Sequence, residues 1–92
     1  MLKKQSTKKG VKVTFELDKP EAEVVELVGS WNGWEPEVLK KFKNGKHKLA
    51  LDLPEGEYEF RYLIDRAAWE NEPEADKLIP NNHGSQNSVI SC

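Results

Sequence analysis

Ninety-two residues with a formal net charge of −2 and one cysteine, Cys92, at the last position describe one small domain with no disulfide framework and no thiol pair at zinc or redox spacing. The near-balanced charge supplies no long-range field to gather phosphate polyanions, which argues against a nucleic-acid partner. No apolar run approaches the ~20 residues of a membrane span, and none follows the basic start MLKKQSTKKG to make a secretory signal, so a protein of the reducing cytoplasm, away from membranes, is expected.

Residues 1–10 are polar and lysine-rich and read as a flexible basic tail before a domain spanning 11–92. From Val11 to Leu17, Val11, Val13, Phe15 and Leu17 alternate with Lys12, Thr14 and Glu16, the period-2 pattern of a half-buried strand. Val24 to Val28 reads as a second strand ending at Gly29. The next segment, SWNGWEP, carries Asn32-Gly33 and Pro36, so Trp31 and Trp34 are expected in a bend. Val38 to Phe42 is a weaker strand, joined by the hairpin signal Asn44-Gly45 to His47–Leu53, where His47, Leu49, Leu51 and Leu53 share one side. After PEGEY, residues Tyr58, Phe60, Tyr62 and Ile64 form an apolar face with Arg61 and Leu63 opposite. Arg66 to Gly84 is polar and broken by Pro73 and Pro80; EADKLI could form one helical turn. Ser88 to Ser91 reads as a final edge strand. Short strands with regular turn signals and no sustained helical period predict an all-β sandwich or small barrel.

Large aromatics are costly to expose, so three tryptophans in or beside polar loops each require a reason. Trp31, directly after a strand and Gly29, reads as a buried cap at one end of the sandwich. Trp34 and Trp69 sit among Gly33, Glu35, Pro36, Glu70 and Asn71 and read as exposed plates. An indole face matches the C–H face of a pyranose ring, and stacking removes apolar area of both from water. Sugar hydroxyls then need polar partners, for which Arg61, Asn82, Ser85 and Asn87 are available.

In order, VELVGSWNGW, LDLPEGEYEFRYLID, W-x-x-x-P and NNHGSQNSVI resemble a family-48 carbohydrate-binding module, over about Val11 to Ile90. The resemblance implies an immunoglobulin-like, early-set antiparallel β-sandwich that holds α-1,4-linked glucan, whether glycogen, starch or maltooligosaccharide, on two tryptophans. By position it implies Trp34 and Trp69 as the plates, Arg61 where the family has lysine, and Asn87 as the asparagine, with Ser85 and His83 lining the site beside it. Trp31 stands where phenylalanine is usual, Arg66-Ala67-Ala68 where a glycine turn is common, and His83 in place of an apolar residue. As a module with no attached catalytic domain, it is expected either to bring a separately encoded glycogen or starch enzyme to polymer or to serve as a sensor.

Catalysis is not expected. His47 and His83 have no Cys or carboxylate partners at metal-ligand spacing, and no cofactor motif occurs. The pairs Glu57/Glu59 and Glu70/Glu72 are expected on exposed turns or solvent-facing strand positions, not as the facing pair a glycosidase uses. Two other readings are weighed beside glucan binding. One is a protein-interaction module docking a glycogen enzyme or regulatory partner through the same indoles. The other is a single-strand nucleic-acid binder using tryptophans beside the lysines at 40, 41, 43, 46 and 48.

Overall fold

Alternating apolar residues need a second apolar face to pack against, and two antiparallel sheets supply it. In the computed structural model, which describes residues 2–8 and 10–92, the described residues form ten strands. They are β1 (Leu2–Thr7), β2 (Gly10–Asp18), β3 (Val25–Gly29), β4 (Glu37–Val38), β5 (Lys40–Lys41), β6 (Lys46–Leu53), β7 (Glu57–Ile64), β8 (Ala68–Glu70), β9 (Lys77–Pro80) and β10 (Gln86–Ser91). One sheet runs β1-β2-β6-β5 and the other β4-β3-β7-β10-β9, with β8 beside β7. The all-β sandwich expected from the sequence is thus the fold observed, and no helix of the described residues is long and apolar enough to cross a membrane.

The register explains the core. In the four-stranded sheet Val11 faces Leu53, Val13 faces Leu51, Phe15 faces Leu49 and Leu17 faces His47. This inward row meets Val25 and Leu27 of β3, Phe60 and Tyr62 of β7 and Ile90 of β10, all within one buried cluster. His47 is fully buried and its Nε2 lies 3.1 Å from the Lys19 carbonyl, a bond the ring donates because a carbonyl can only accept.

Several elements differ from the sequence expectation. Residues 2–7, expected within a flexible tail, pair along the whole of β1 with β2; Met1 and Lys9 lie outside the described residues. Lys4, opposite Val13, points inward from this edge strand, and its Nζ donates to Asp76 Oδ2 at 2.6 Å and to the Ser91 carbonyl at 2.9 Å. An inward-pointing charge on an edge strand discourages pairing with another chain. The segment Val38–Phe42 is split between sheets: β4 pairs with β3 and β5 with β6, while buried Leu39 crosses between them and donates its N–H to the Val25 carbonyl. EADKLI contributes no helix; its end belongs to β9. The C-terminal strand is not an edge, since β10 lies between β7 and β9.

Candidate functional site

The outer face of the β4-β3-β7-β10-β9 sheet carries what the core does not use. Because Tyr58, Phe60, Tyr62 and Ile64 of β7 face inward, Glu59 and Arg61 face outward. Pairing places Val28 of β3 across from Arg61 and Ile79 of β9 across from Asn87; Trp69 of β8 is across from Leu63, one outward position beyond Arg61. With the loops at residues 34 and 81–85 these side chains line an open depression of about 980 Å³. Trp34, Arg61, Trp69, Asn82, His83, Ser85 and Asn87, the seven residues singled out in the sequence, all line it.

Each indole is held by its own backbone device. After β3 the chain makes a single 3₁₀ turn, Ser30–Asn32, and then places both Gly33 (φ 74°) and Trp34 (φ 69°) in the left-handed region. For a residue with a Cβ that conformation costs roughly 1–2 kcal/mol. Two devices offset it: Trp34 N–H donates to the Gly29 carbonyl at 3.0 Å, and the Asn32 amide spans Trp34 by bonding both N–H and C=O of Glu35, at 3.2 and 3.1 Å. The ring emerges 41 % exposed.

Trp69 is presented by the β7–β8 hairpin. Asp65 and Arg66 are both left-handed (φ 49° and 56°), and Ala67 N–H closes the turn on the Ile64 carbonyl at 3.0 Å. This is how Arg66-Ala67-Ala68 makes a tight turn without glycine. Asp65 Oδ1 accepts the N–H groups of Glu23 and Val24 at 2.8 and 2.9 Å, which clamps the hairpin to the start of β3. Trp69 is 47 % exposed, with the Arg61 guanidinium 5.2 Å from its ring centre.

Trp31 behaves differently, as its position after Gly29 implied. It packs on the core, with its ring centre 5.5 Å from that of Phe15, 6.1 Å from Phe60 and 6.2 Å from Tyr58. A Cβ at Gly29 would lie 2.3 Å from a carbon of that ring, so only glycine permits the indole to fold back.

The polar side chains of the depression form a hydrogen-bonded network. Arg61 Nη1 donates to Ser85 Oγ at 3.4 Å, and Asn87 Nδ2 donates to Glu59 Oε1 at 3.1 Å. Asn81 sits at its centre, bonded to Ser85 and Asn87 side chains. Sequence reasoning missed Glu59 and Asn81. Glu59 was discoverable because it shares strand parity with Arg61; Asn81 carries a turn signal, an asparagine whose side chain accepts main-chain N–H groups of the loop ahead of it. His83 is exposed on the loop and donates its own N–H to Asn81 Oδ1 at 2.9 Å.

The carboxylates are placed apart. Glu59 is the one acid lining the depression. Glu72, expected on an exposed turn, is buried and accepts the Tyr62 hydroxyl at 2.9 Å and the Glu74 N–H at 2.7 Å. Burial, with the Glu72 charge second, pushes the Tyr62 phenol far above its ordinary range, so it serves as a fixed donor to that carboxylate. Glu72 N–H in turn bonds Ser88 Oγ at 2.9 Å. The constellation fastens the segment after β8 to β10 and lies on the inner side of the sheet.

Among known proteins, residues 11–92 match the family described as the glycogen recognition site of AMP-activated protein kinase. Over 66 residues, 72 % of this chain, it is 33 % identical to 5′-AMP-activated protein kinase subunit beta-1 of Sus scrofa, of which the match covers 52 %. The Homo sapiens beta-1 subunit is 32 % identical over 66 residues, 23 % of that protein. Protein PTST homolog 2, chloroplastic, of Arabidopsis thaliana is 38 % identical over 70 residues, 75 % of this chain and 13 % of that protein. The chain thus spans about half the length of the Sus scrofa protein and a smaller share of the others. With nearly its whole length matched by the family model, the chain belongs to the family of the glycogen recognition site of AMP-activated protein kinase, a family-48 carbohydrate-binding module.

Proposed function

We propose that this protein binds α-1,4-linked glucan on the outer face of its larger sheet, with Trp34 and Trp69 stacking on sugar rings and Arg61, His83, Ser85 and Asn87 meeting the hydroxyls. The observation that carries the reading is convergence: two indoles, each about half exposed, stand on one open depression with a prebuilt polar wall. The family's description supplies the ligand class, glycogen or a related glucan. Apolar plates without hydroxyl partners would lose the stacking gain to desolvation, and partners without plates would compete poorly with water. Both are present here.

Binding, not chemistry, is the proposed role. Hydrolysis of a glycosidic bond ordinarily uses two facing carboxylates, and the depression offers Glu59, already bonded to Asn87. Because the site is shallow and stays wet at its edges, affinity on the order of micromolar to millimolar is expected. The proposal extends to a cytoplasmic protein that brings a separately encoded glycogen or starch enzyme to polymer. Titration with maltoheptaose tests the core of it. Indole fluorescence should be quenched in the wild type; a saturable response of equal affinity in Trp34→Ala/Trp69→Ala contradicts the reading.

A further inference from the structure

We propose that Asn81 is a positioning residue of this face: it fixes which way the side-chain amide of Asn87 points, and so the donor and acceptor pattern offered to a bound sugar. The inference rests on the glucan-binding reading and deepens it.

Asn81 follows β9 and closes the loop to β10 by donating its N–H to the Ser85 carbonyl at 2.9 Å. Its side-chain Oδ1 accepts the N–H groups of His83 and Ser85 at 2.9 and 3.2 Å. Its Nδ2 donates to Ser85 Oγ at 2.9 Å and to Asn87 Oδ1 at 3.0 Å. Asn87 Nδ2 then donates to Glu59 Oε1 at 3.1 Å.

The two ends of this chain admit one direction. A main-chain N–H can only donate and an ionised carboxylate can only accept. The loop N–H groups therefore require oxygen from Asn81, which leaves its NH₂ for Asn87. Asn87 must answer with oxygen, which leaves its own NH₂ for Glu59. Turning either amide by 180° would set oxygen against oxygen at one end and N–H against N–H at the other. Asn87 is buried, where such unmet groups are costly.

A surface asparagine is otherwise free to present either edge. Here the amide is preset before a ligand arrives, so its ordering is not charged against binding. Asn81 acts on the sugar through Asn87, and the consequence is directional as well as structural.

That direction can be reversed by design. Asn81→Asp keeps an oxygen for the loop N–H groups but sets its second oxygen against Asn87 Oδ1. Adding Glu59→Gln supplies an NH₂ at the far end, so Asn87 can turn round and regain both bonds at unchanged net charge. Thermal unfolding and calorimetric titration with maltoheptaose are measured on wild type, Asn81→Asp and Asn81→Asp/Glu59→Gln. Asn81→Asp is expected to lose both stability and about tenfold in affinity. The double variant should recover the wild-type unfolding temperature while its affinity stays about tenfold low. A merely structural Asn81 would recover both together. Wild-type affinity in Asn81→Asp, recovered affinity in the double variant, or a double variant that does not fold overturns the inference. A wild type that fails to bind maltoheptaose sinks the glucan reading and this inference with it; normal wild-type binding with an unaffected Asn81→Asp sinks the inference alone.

Discussion

Arg61 lays its guanidinium over the Trp69 indole, 5.2 Å from the ring centre, and in the same pose reaches Ser85. The contact restrains the exposed ring through attraction between cation and π-face. Arg61→Ala should therefore weaken maltoheptaose binding by about five- to tenfold, comparable to losing one good polar contact and some ring order. Arg61→Lys retains charge but loses the planar fork and should fall between the two. Calorimetry measures both; the unfolding temperature should move little, because Arg61 faces away from the core.

Gly29 and Trp31 form a size-matched pair. Gly29→Ala would force a methyl into the ring that covers it, and overpacking of this kind costs about 1–3 kcal/mol. Trp31→Phe removes part of the obstruction, so in urea unfolding the double variant should lose less stability than the sum of the two single changes. Strict additivity would show that Trp31 does not rest on Gly29.

The hairpin that carries Trp69 depends on Asp65. Asp65→Ala removes a carboxylate that accepts two N–H groups and leaves an alanine in a left-handed conformation. A loss of about 2 kcal/mol is expected from these two effects, with a drop in glucan affinity as Trp69 loosens. Arg66→Gly, at the adjacent left-handed position, should be tolerated or mildly stabilising. Chemical denaturation and maltoheptaose titration of the same samples check both statements.

Acid should release the N-terminal strand. The bond from Lys4, followed by the Ser91 N–H, holds the Asp76 carboxyl below its usual range. A lowered folded-state value means that the stabilisation is fully present above the unfolded value, about 3.9, and is lost as pH falls through the folded value. In Lys4→Ala the folded value moves back toward the unfolded one, so stability above this window should be lower, the acid decline owed to Asp76 smaller, and the difference from wild type should shrink as pH falls. Thermal unfolding between about pH 2 and pH 6 covers the window; identical profiles would contradict the assignment.

The sandwich was legible because its core strands alternate cleanly: Val11 to Leu17 and Tyr58 to Ile64 each expose one parity to the interior, and that parity alone sends Arg61 outward. The exposed roles of Trp34 and Trp69 followed from their polar neighbours; Trp31, expected as a buried cap after Gly29, packs on the core but is only partly buried. Strand β1 was not legible, since its lysines suggest a solvated tail until Lys4 finds Asp76 and Ser91 across the sheets. Glu72 was misread for a similar reason: its burial depends on Tyr62 and Ser88, ten and sixteen residues away. Position along the chain also hid that β10 is an inner strand, because pairing order is a tertiary property. Nothing local in Asn81 or Glu59 announces that Asn87 lies between them.

Affinity electrophoresis of the purified protein in native gels with and without glycogen tests the central claim most directly. Wild-type protein should be retarded by glycogen, and Trp34→Ala and Trp69→Ala, with unchanged unfolding temperatures, should each migrate close to their glycogen-free positions. Equal mobility of the wild type in both gels, or full retardation of a folded Trp34→Ala/Trp69→Ala variant, would contradict the account.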